Sequence, residues 1–287
     1  METAERYCGR VFLFVTGLLV LASLFSLRLA LPTALATLVV GVVFLGLPHG
    51  ALDSMVASKS FANNRYFSRI AFYASYLCLA LSYSFLWSRY PTLGLSCFLA
   101  IAAIHFSSDW QDRGSDVTRL AYGVTIVTLP ALAHPVEVAA IYAALGTTHA
   151  ELLVNVSKVL AVAAVILVGA SGIMQFRRRS SDLYEFVAII AGAMLLAPLV
   201  SFTCYFCLLH SPRHLLQTAE ELDIAGFRSL FMAVAPVVLI TVMLAGTFWF
   251  LMPGIPPTNR VLTLVFVGLA SLTVPHMILD RLTEPTH

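Results

Sequence analysis

Charge is scarce in this sequence. Only 11% of its 287 residues are Asp, Glu, Lys or Arg, against roughly 25% in soluble domains. A further 59% are hydrophobic, with a mean hydropathy of +0.88. No soluble globule of this size needs so much apolar sequence, so a separate soluble domain is excluded and residues 1–287 are read as a single integral membrane domain. An excess of either sign is also missing: the net charge of +2, with basic residues single or in short clusters, excludes nucleic acid as a partner. The five cysteines have no metal or redox frame. Cys204-Tyr-Phe-Cys207 has CxxC spacing but neither a second pair nor hydrophilic surroundings, so its thiols read as small packing groups. No clear A-x-A cleavage site follows the run Val11 to Leu27, which is therefore read as an uncleaved first span behind Arg6 and Arg10.

What the chain does have is apolar runs, at 11–30, 34–57, 67–88, 92–109, 118–133, 152–174, 183–206, 229–251 and 261–279, with 135–148 a short, ambiguous extra. A bilayer-spanning helix needs about 20 apolar residues. These runs are about twice the length of a barrel strand and lack its alternation, and backbone in lipid must satisfy its own hydrogen bonds. The expectation is an all-α, polytopic transmembrane helix bundle of about eight to ten spans. Its orientation turns on how many spans lie between residues 117 and 175. With two there, the histidine-bearing ends of 34–57 and 92–109 face away from those of 183–206 and 261–279. If 135–148 crosses or re-enters, all four ends share a side and Arg177 to Arg179 fall outside; alternatively, the histidines sit near mid-depth.

Those ends repeat one pattern: Pro48-His49-Gly50-Ala51-Leu52-Asp53, His105-Phe106-Ser107-Ser108-Asp109, His210-Ser211-Pro212-Arg213-His214 and Pro275-His276-Met277-Ile278-Leu279-Asp280. Each sets a histidine four residues before an aspartate or another histidine. On a helix, positions i and i+4 share a face. Ionisable groups inside a membrane are costly and mark sites, and imidazole is a common ligand whose second ring N–H goes to a carboxylate. The pairs therefore predict a metal site, with ligand plus carboxylate on one helix turn, two ligands, or a metal-free pair all compatible with the spacing. His134, His149 and His287 read as interfacial or solvated.

An imidazole-rich set without thiolates suits iron, copper or zinc. No His-Glu-x-x-His is present, which argues against a zinc peptidase. Multiple His-x-x-His-His boxes are also missing, which argues against a di-iron desaturase. Redox chemistry on a lipid-soluble substrate at a mononuclear site remains.

In order and spacing, Gly46 to Asp53, His105-Phe106 with Asp109, Tyr205-Phe206 leading to His210-Ser211 with Arg213-His214, and Pro275-His276 with Asp280 resemble the Brp/Blh family of bacterial and archaeal β-carotene 15,15′-dioxygenases. Ser107 departs from the glycine of many relatives. The resemblance implies an oxidoreductase in which non-haem Fe²⁺ and O₂ cleave the central double bond of β-carotene to two retinal molecules. It implies His49, His105, His210 and His214 as iron ligands with His276 a fifth candidate, and Asp53, Asp109 and Asp280 as the carboxylates that orient them. It further implies an apolar tunnel for the polyene, for which Tyr66, Phe106, Trp110, Tyr205 and Phe206 are candidates. Arg213 is assigned to a lipid headgroup or a carboxylate rather than to substrate. The expected setting is the cell (inner) membrane, with carotenoid, O₂, lipid and a retinal-accepting rhodopsin as partners. Oxidation of another polyene or isoprenoid, or an ion or metal transporter with the His/Asp pairs as its path, are the alternatives; transport would favour inverted repeats and broken helices.

Overall fold

The computed structural model describes residues 2–61, 68–110, 115–172 and 180–283. Its regular structure is helical, and no strand occurs among the described residues. In chain order the helices are α1 Glu2–Leu24, α2 Leu31–Gly41, α3 Leu47–Gly50, α4 Asp53–Ser60, α5 Arg69–Arg89, α6 Pro91–Ser107, α7 Asp116–Ala133, α8 Pro135–Ala144, α9 Ala150–Gly172, α10 Ser180–Leu195, α11 Pro198–Tyr205, α12 Ser211–Glu221, α13 Phe227–Leu251 and α14 Pro257–Thr283. Two π-helical turns, Val42–Gly46 and Phe206–His210, join α2 to α3 and α11 to α12.

Helix starts follow local chemistry. Proline occupies the first turn of α2, α6, α8 and α11, where its missing N–H costs nothing. Ser68 and Ser115 cap α5 and α7 through their side-chain oxygens.

Among the described residues, seven helical segments are long and apolar enough to cross a membrane, or eight if α7 and α8 count as one broken span. Eight is the low end of the expected range and seven is one short of it, because the run 183–206 is divided. Ala197 is extended (φ −54°, ψ 142°) immediately before Pro198, as the residue preceding proline prefers. The ambiguous stretch 135–148 begins with α8, which turns by 108° from α7 at His134-Pro135. Both breaks lie between the early histidines, His49 and His105, and the late ones, His210, His214 and His276.

Packing uses close backbone approach as well as side-chain fit. A Cβ on Gly123 of α7 would stand 1.9 Å from the Ala103 carbonyl oxygen of α6, so only glycine permits this crossing, as at many membrane helix interfaces. Helix α7 also lies on α9, α1 on α10, and α5 on α14. Phe12, Leu38, Leu95, Trp110, Tyr122 and Leu209 are fully buried in the common core. Helix α13 is peripheral, touching α14 and α3 and leaving most of its apolar surface outward.

Candidate metal centre

His49 and His210 are delivered by the same device. A proline ring collides with the carbonyl four residues back and cannot donate a helix hydrogen bond. For Pro48 and Pro212 that carbonyl belongs to Phe44 and Leu208, and both lie in the π-helical turns. The widened turns instead pair Leu47 N–H with Val42 O and Ser211 N–H with Phe206 O. Such turns gather at functional sites because they re-aim a side chain without ending the helix. His49 sits just past one turn and His210 closes the other. His105 lies in the last turn of α6, His214 in α12, and His276 follows Pro275 inside α14.

Five imidazoles from these elements form one cluster. The ring of His105 is 4.7 Å from that of His210, 5.4 Å from His276, 5.7 Å from His214 and 6.4 Å from His49, centroid to centroid. His210 and His214 are 4.6 Å apart, and His49 and His276 are 5.3 Å apart. His105, His210 and His276 are buried, with His210 wholly inaccessible. The histidine-bearing ends therefore meet in one place.

Carboxylates fix which ring nitrogen carries the proton, since an ionised carboxylate only accepts. Asp109 accepts from His210 Nδ1–H with both oxygens at 3.0 Å and from His214 Nε2–H at 3.1 Å. Asp53 accepts from His276 Nδ1–H at 2.9 and 3.0 Å. The Gly46 carbonyl accepts from His49 Nδ1–H. In neutral rings the Nε2 atoms of His49, His210 and His276 then carry bare lone pairs, whereas the bare nitrogen of His214 is Nδ1.

Of the arrangements the spacing left open, a carboxylate serving the histidine of its own turn does not occur for two of the three aspartates. Asp53 serves His276 and Asp109 serves His210, not the histidines four residues before them. Only Asp280 stays beside its own partner, with Oδ2 3.4 Å from His276 Nε2 and no hydrogen bond to it. The physical reason is reach: consecutive turns stack the i and i+4 groups, while the face they share meets another helix, and the shorter contact is across that interface.

A tyrosine stands behind each crossed pair. Tyr205 Oη donates to Asp109 Oδ2 at 2.5 Å, and Tyr76 Oη donates to Asp53 Oδ2 at 2.8 Å. Tyr76 was not singled out in the sequence, where it is one of several aromatics in an apolar run. Arg213 turns away from the cluster and donates from Nη2 to Glu185 Oε1 at 2.6 Å, so its partner is a carboxylate. Glu185, too, was not anticipated, although an acid within an apolar stretch is a signal.

The residues present suit a metal ion. One ring nitrogen from each of His49, His105 and His276 lies within 4.8 Å of the others. His276 Nε2 is buried without a hydrogen-bond partner, which is rare for a polar atom. His105 Nε2 and His210 Nε2 are 3.0 Å apart. Two nitrogens bound to one metal at about 2.1 Å and a right angle would stand about 3.0 Å apart. Asp109, His210 and His214 also group closely, but those atoms are already joined by hydrogen bonds.

Two apolar cavities share no lining residue: one is lined by cluster histidines, and the other lies behind Phe106 and Tyr205, whose rings pack near His210. The larger, about 120 Å³, is bounded by Phe98, Ala102, Phe106, Phe202 and Tyr205 among others. The smaller, about 90 Å³, includes His49 and His276 themselves with Tyr76, Val238 and Leu269. Of the expected tunnel residues, Phe106 and Tyr205 line the larger cavity. Phe206 packs edge-on to His49 (5.9 Å) and stacks on Phe202 (5.2 Å), lining neither. Trp110 lines neither as well, because its indole stacks on Tyr122 at 4.4 Å and meets Phe186 in the core. Tyr66 and His287 lie outside the described residues. His134 stands at the start of α8 with Nδ1 3.9 Å from Glu137 Oε1, and His149 is exposed, so both stand apart from the centre. Cys204 and Cys207 are free, buried packing residues.

A sequence profile described as β-carotene 15,15′-dioxygenase matches residues 40–284, a span that holds every histidine of the cluster. The chain is 30% identical over 249 residues to the β-carotene 15,15′-dioxygenase of uncultured marine bacterium 66A03, covering 83% of this chain and 90% of that one. It is 27% identical over 293 residues to the probable β-carotene 15,15′-dioxygenase Blh of Halobacterium salinarum, covering 86% of this chain and 83% of that one. No solved structure matches significantly. With the profile running through nearly the whole bundle, the chain belongs to the β-carotene 15,15′-dioxygenase family.

Proposed function

We propose that this chain cleaves the central 15,15′ double bond of β-carotene with O₂, one oxygen atom passing to each new aldehyde, to give two retinal molecules at a non-haem iron. The observation that carries the reading is the five-imidazole cluster, with one apolar cavity lined by His49 and His276 and a second behind Phe106 and Tyr205. Iron would be held by bare nitrogens of His49, His105, His210 and His276, with His214 drawn away by its bond to Asp109. When bound, ferrous iron supplies the activation of O₂ that amino-acid side chains cannot.

The protein's own residues do the positioning. Asp109 and Asp53 fix the tautomers of His210 and His276, so that Nε2 points inward. The cavity walls are mainly apolar and offer a polyene dispersion contact, from Phe106 and Phe202 in one cavity and Leu269 and Val238 in the other. A substrate with two like halves, cut at its middle, suits a centre with one cavity for each half.

The broken helices that transport would also favour here deliver His210 and His214, and the carboxylates are committed to imidazoles instead of lining a path. The setting we infer is the cell (inner) membrane, where a multi-pass chain draws carotenoid from lipid and releases retinal to a rhodopsin. The test is anaerobic loading of the purified chain with Fe²⁺, then β-carotene and O₂, with products separated by chromatography. Retinal as the sole product is expected; cleavage of a different polyene with β-carotene untouched would replace the substrate, and no oxygen uptake with any polyene would end the enzymatic reading.

A further inference from the structure

Two relays of the same composition converge on the cluster from opposite parts of the chain. One runs from Tyr76 of α5 to Asp53 of α4 to His276 of α14; the other runs from Tyr205 of α11 to Asp109 to His210. In each, the phenol donates to Oδ2 of the carboxylate, and the carboxylate accepts the Nδ1–H of the imidazole. Each tyrosine also lines a different one of the two cavities. Asp53 and Asp109 side chains are nearly inaccessible, at 8% and 5% exposure. Water cannot readily replace a lost partner there, so the orientation of each carboxylate is set by the few groups that reach it.

We propose that Tyr76 and Tyr205 are positioning residues, each holding its aspartate in the rotamer that aims one histidine Nε2 into the centre. The inference rests on the metal reading above. A carboxylate bonded only to an imidazole can rotate about its Cβ–Cγ axis and carry the ring with it. A phenol hydroxyl on the second oxygen removes that freedom. The two relays differ in redundancy. Asp109 is also held by His214 Nε2 at 3.1 Å, whereas among the described residues Tyr76 is the one further side chain bonded to Asp53. Tyr76 Oη has Leu272 O at 3.4 Å as an alternative acceptor. The Asp53 relay is therefore the one more sensitive to loss of its hydroxyl.

The test uses the full-length chain in detergent with Co²⁺ as a spectroscopic probe, comparing Tyr76→Phe, Tyr205→Phe and the double variant with wild type. Tyr83→Phe is the control, because Tyr83 is buried in the same helix as Tyr76 but donates to Gly94 O, outside the cluster. Removing a group that supports a ligand directly costs about 10–100-fold in metal affinity. One step further out, Tyr76→Phe should weaken Co²⁺ binding by about 3–10-fold and Tyr205→Phe by less, each changing the visible absorption of the bound ion. The double variant should show the product of the two effects, since the relays share no residue. Melting temperatures of the metal-free proteins separate these effects from general destabilisation. Unchanged affinity and spectrum in both single variants, with wild-type binding that His105→Ala abolishes, would overturn this inference alone. Wild type that binds no Co²⁺, or binding that survives His105→Ala, would overturn the metal reading and this inference with it.

Discussion

The carboxylate of Asp109 lies with both oxygens 3.0 Å from Nδ1 of His210, a residue 101 positions further along the chain. That bond ties the end of α6 to the start of α12, and the bond from Asp53 to His276 ties α4 to α14 in the same way. The four His-x-x-x-(Asp/His) turns thus interlock as two crossed pairs. Each contributes a histidine to the cluster, and two of them also contribute the carboxylate that steadies a histidine of another turn. Burial of such groups is tolerable only when they are satisfied together, so the site and the bundle form as one unit.

Asp109→Asn should lose metal. The aspartate accepts from Tyr205, His210 and His214, whereas an amide has one accepting oxygen and presents an NH₂ on its other side. At least one ring N–H would face that NH₂ and have to change tautomer or turn away. Metal affinity should fall by about 10–100-fold, read by chelator competition. Affinity equal to wild type would remove Asp109 from the role given to it.

His276 and His214 compete for the place of fourth ligand, and the crossed carboxylates favour His276. Its Nε2 is buried and free of hydrogen bonds, while the corresponding atom of His214 is engaged by Asp109. His276→Ala should therefore strip metal from the purified protein more completely than His214→Ala, measured as metal per chain by mass spectrometry. The reverse order would reassign the ligand set to His49, His105, His210 and His214.

The apolar run lengths anticipated the helices, and four repeats of i,i+4 spacing on separate runs anticipated the histidines. Neither periodicity contains the pairing of faces, so which histidine Asp53 and Asp109 serve is not legible in the spacing. The break at Ala197 had its sign in Pro198, hidden by the unbroken hydrophobicity around it. Tyr76 had no sign at all: a phenol that bonds a carboxylate looks in sequence like the neighbouring Tyr73, which is exposed. Trp110 shows the converse, an aromatic next to a ligand helix that belongs to the core.

Glu185 and Arg213 test how much stability a buried ion pair contributes beside the centre. Their side chains are 4% and 14% exposed, with Gly9 of α1 so close that an added Cβ would stand 2.2 Å from Glu185 Oε1. Glu185→Ala removes the carboxylate that faces a largely buried guanidinium, a change that costs about 3–5 kcal/mol. Glu185→Gln keeps an acceptor and should cost less. Thermal unfolding in detergent should rank wild type above Glu185→Gln above Glu185→Ala, and equal melting of all three would show that the pair contributes nothing.

If each cavity receives one half of the polyene, filling either should block cleavage without touching the metal. Ala102 is buried on the wall of the larger cavity and Val238 lines the smaller. A phenyl group at either position would occupy space the substrate needs, and neither residue bonds any member of the cluster. Ala102→Phe and Val238→Phe should each lower kcat/KM for β-carotene by about tenfold or more, the scale on which small changes of pocket shape discriminate substrates. Metal content and melting temperature should stay near wild type. A polyene shortened on one side should regain turnover in one variant and not in the other, because only one cavity would be closed to it. Wild-type cleavage of β-carotene by both variants would mean that the substrate lies elsewhere and that central cleavage is set by some other surface.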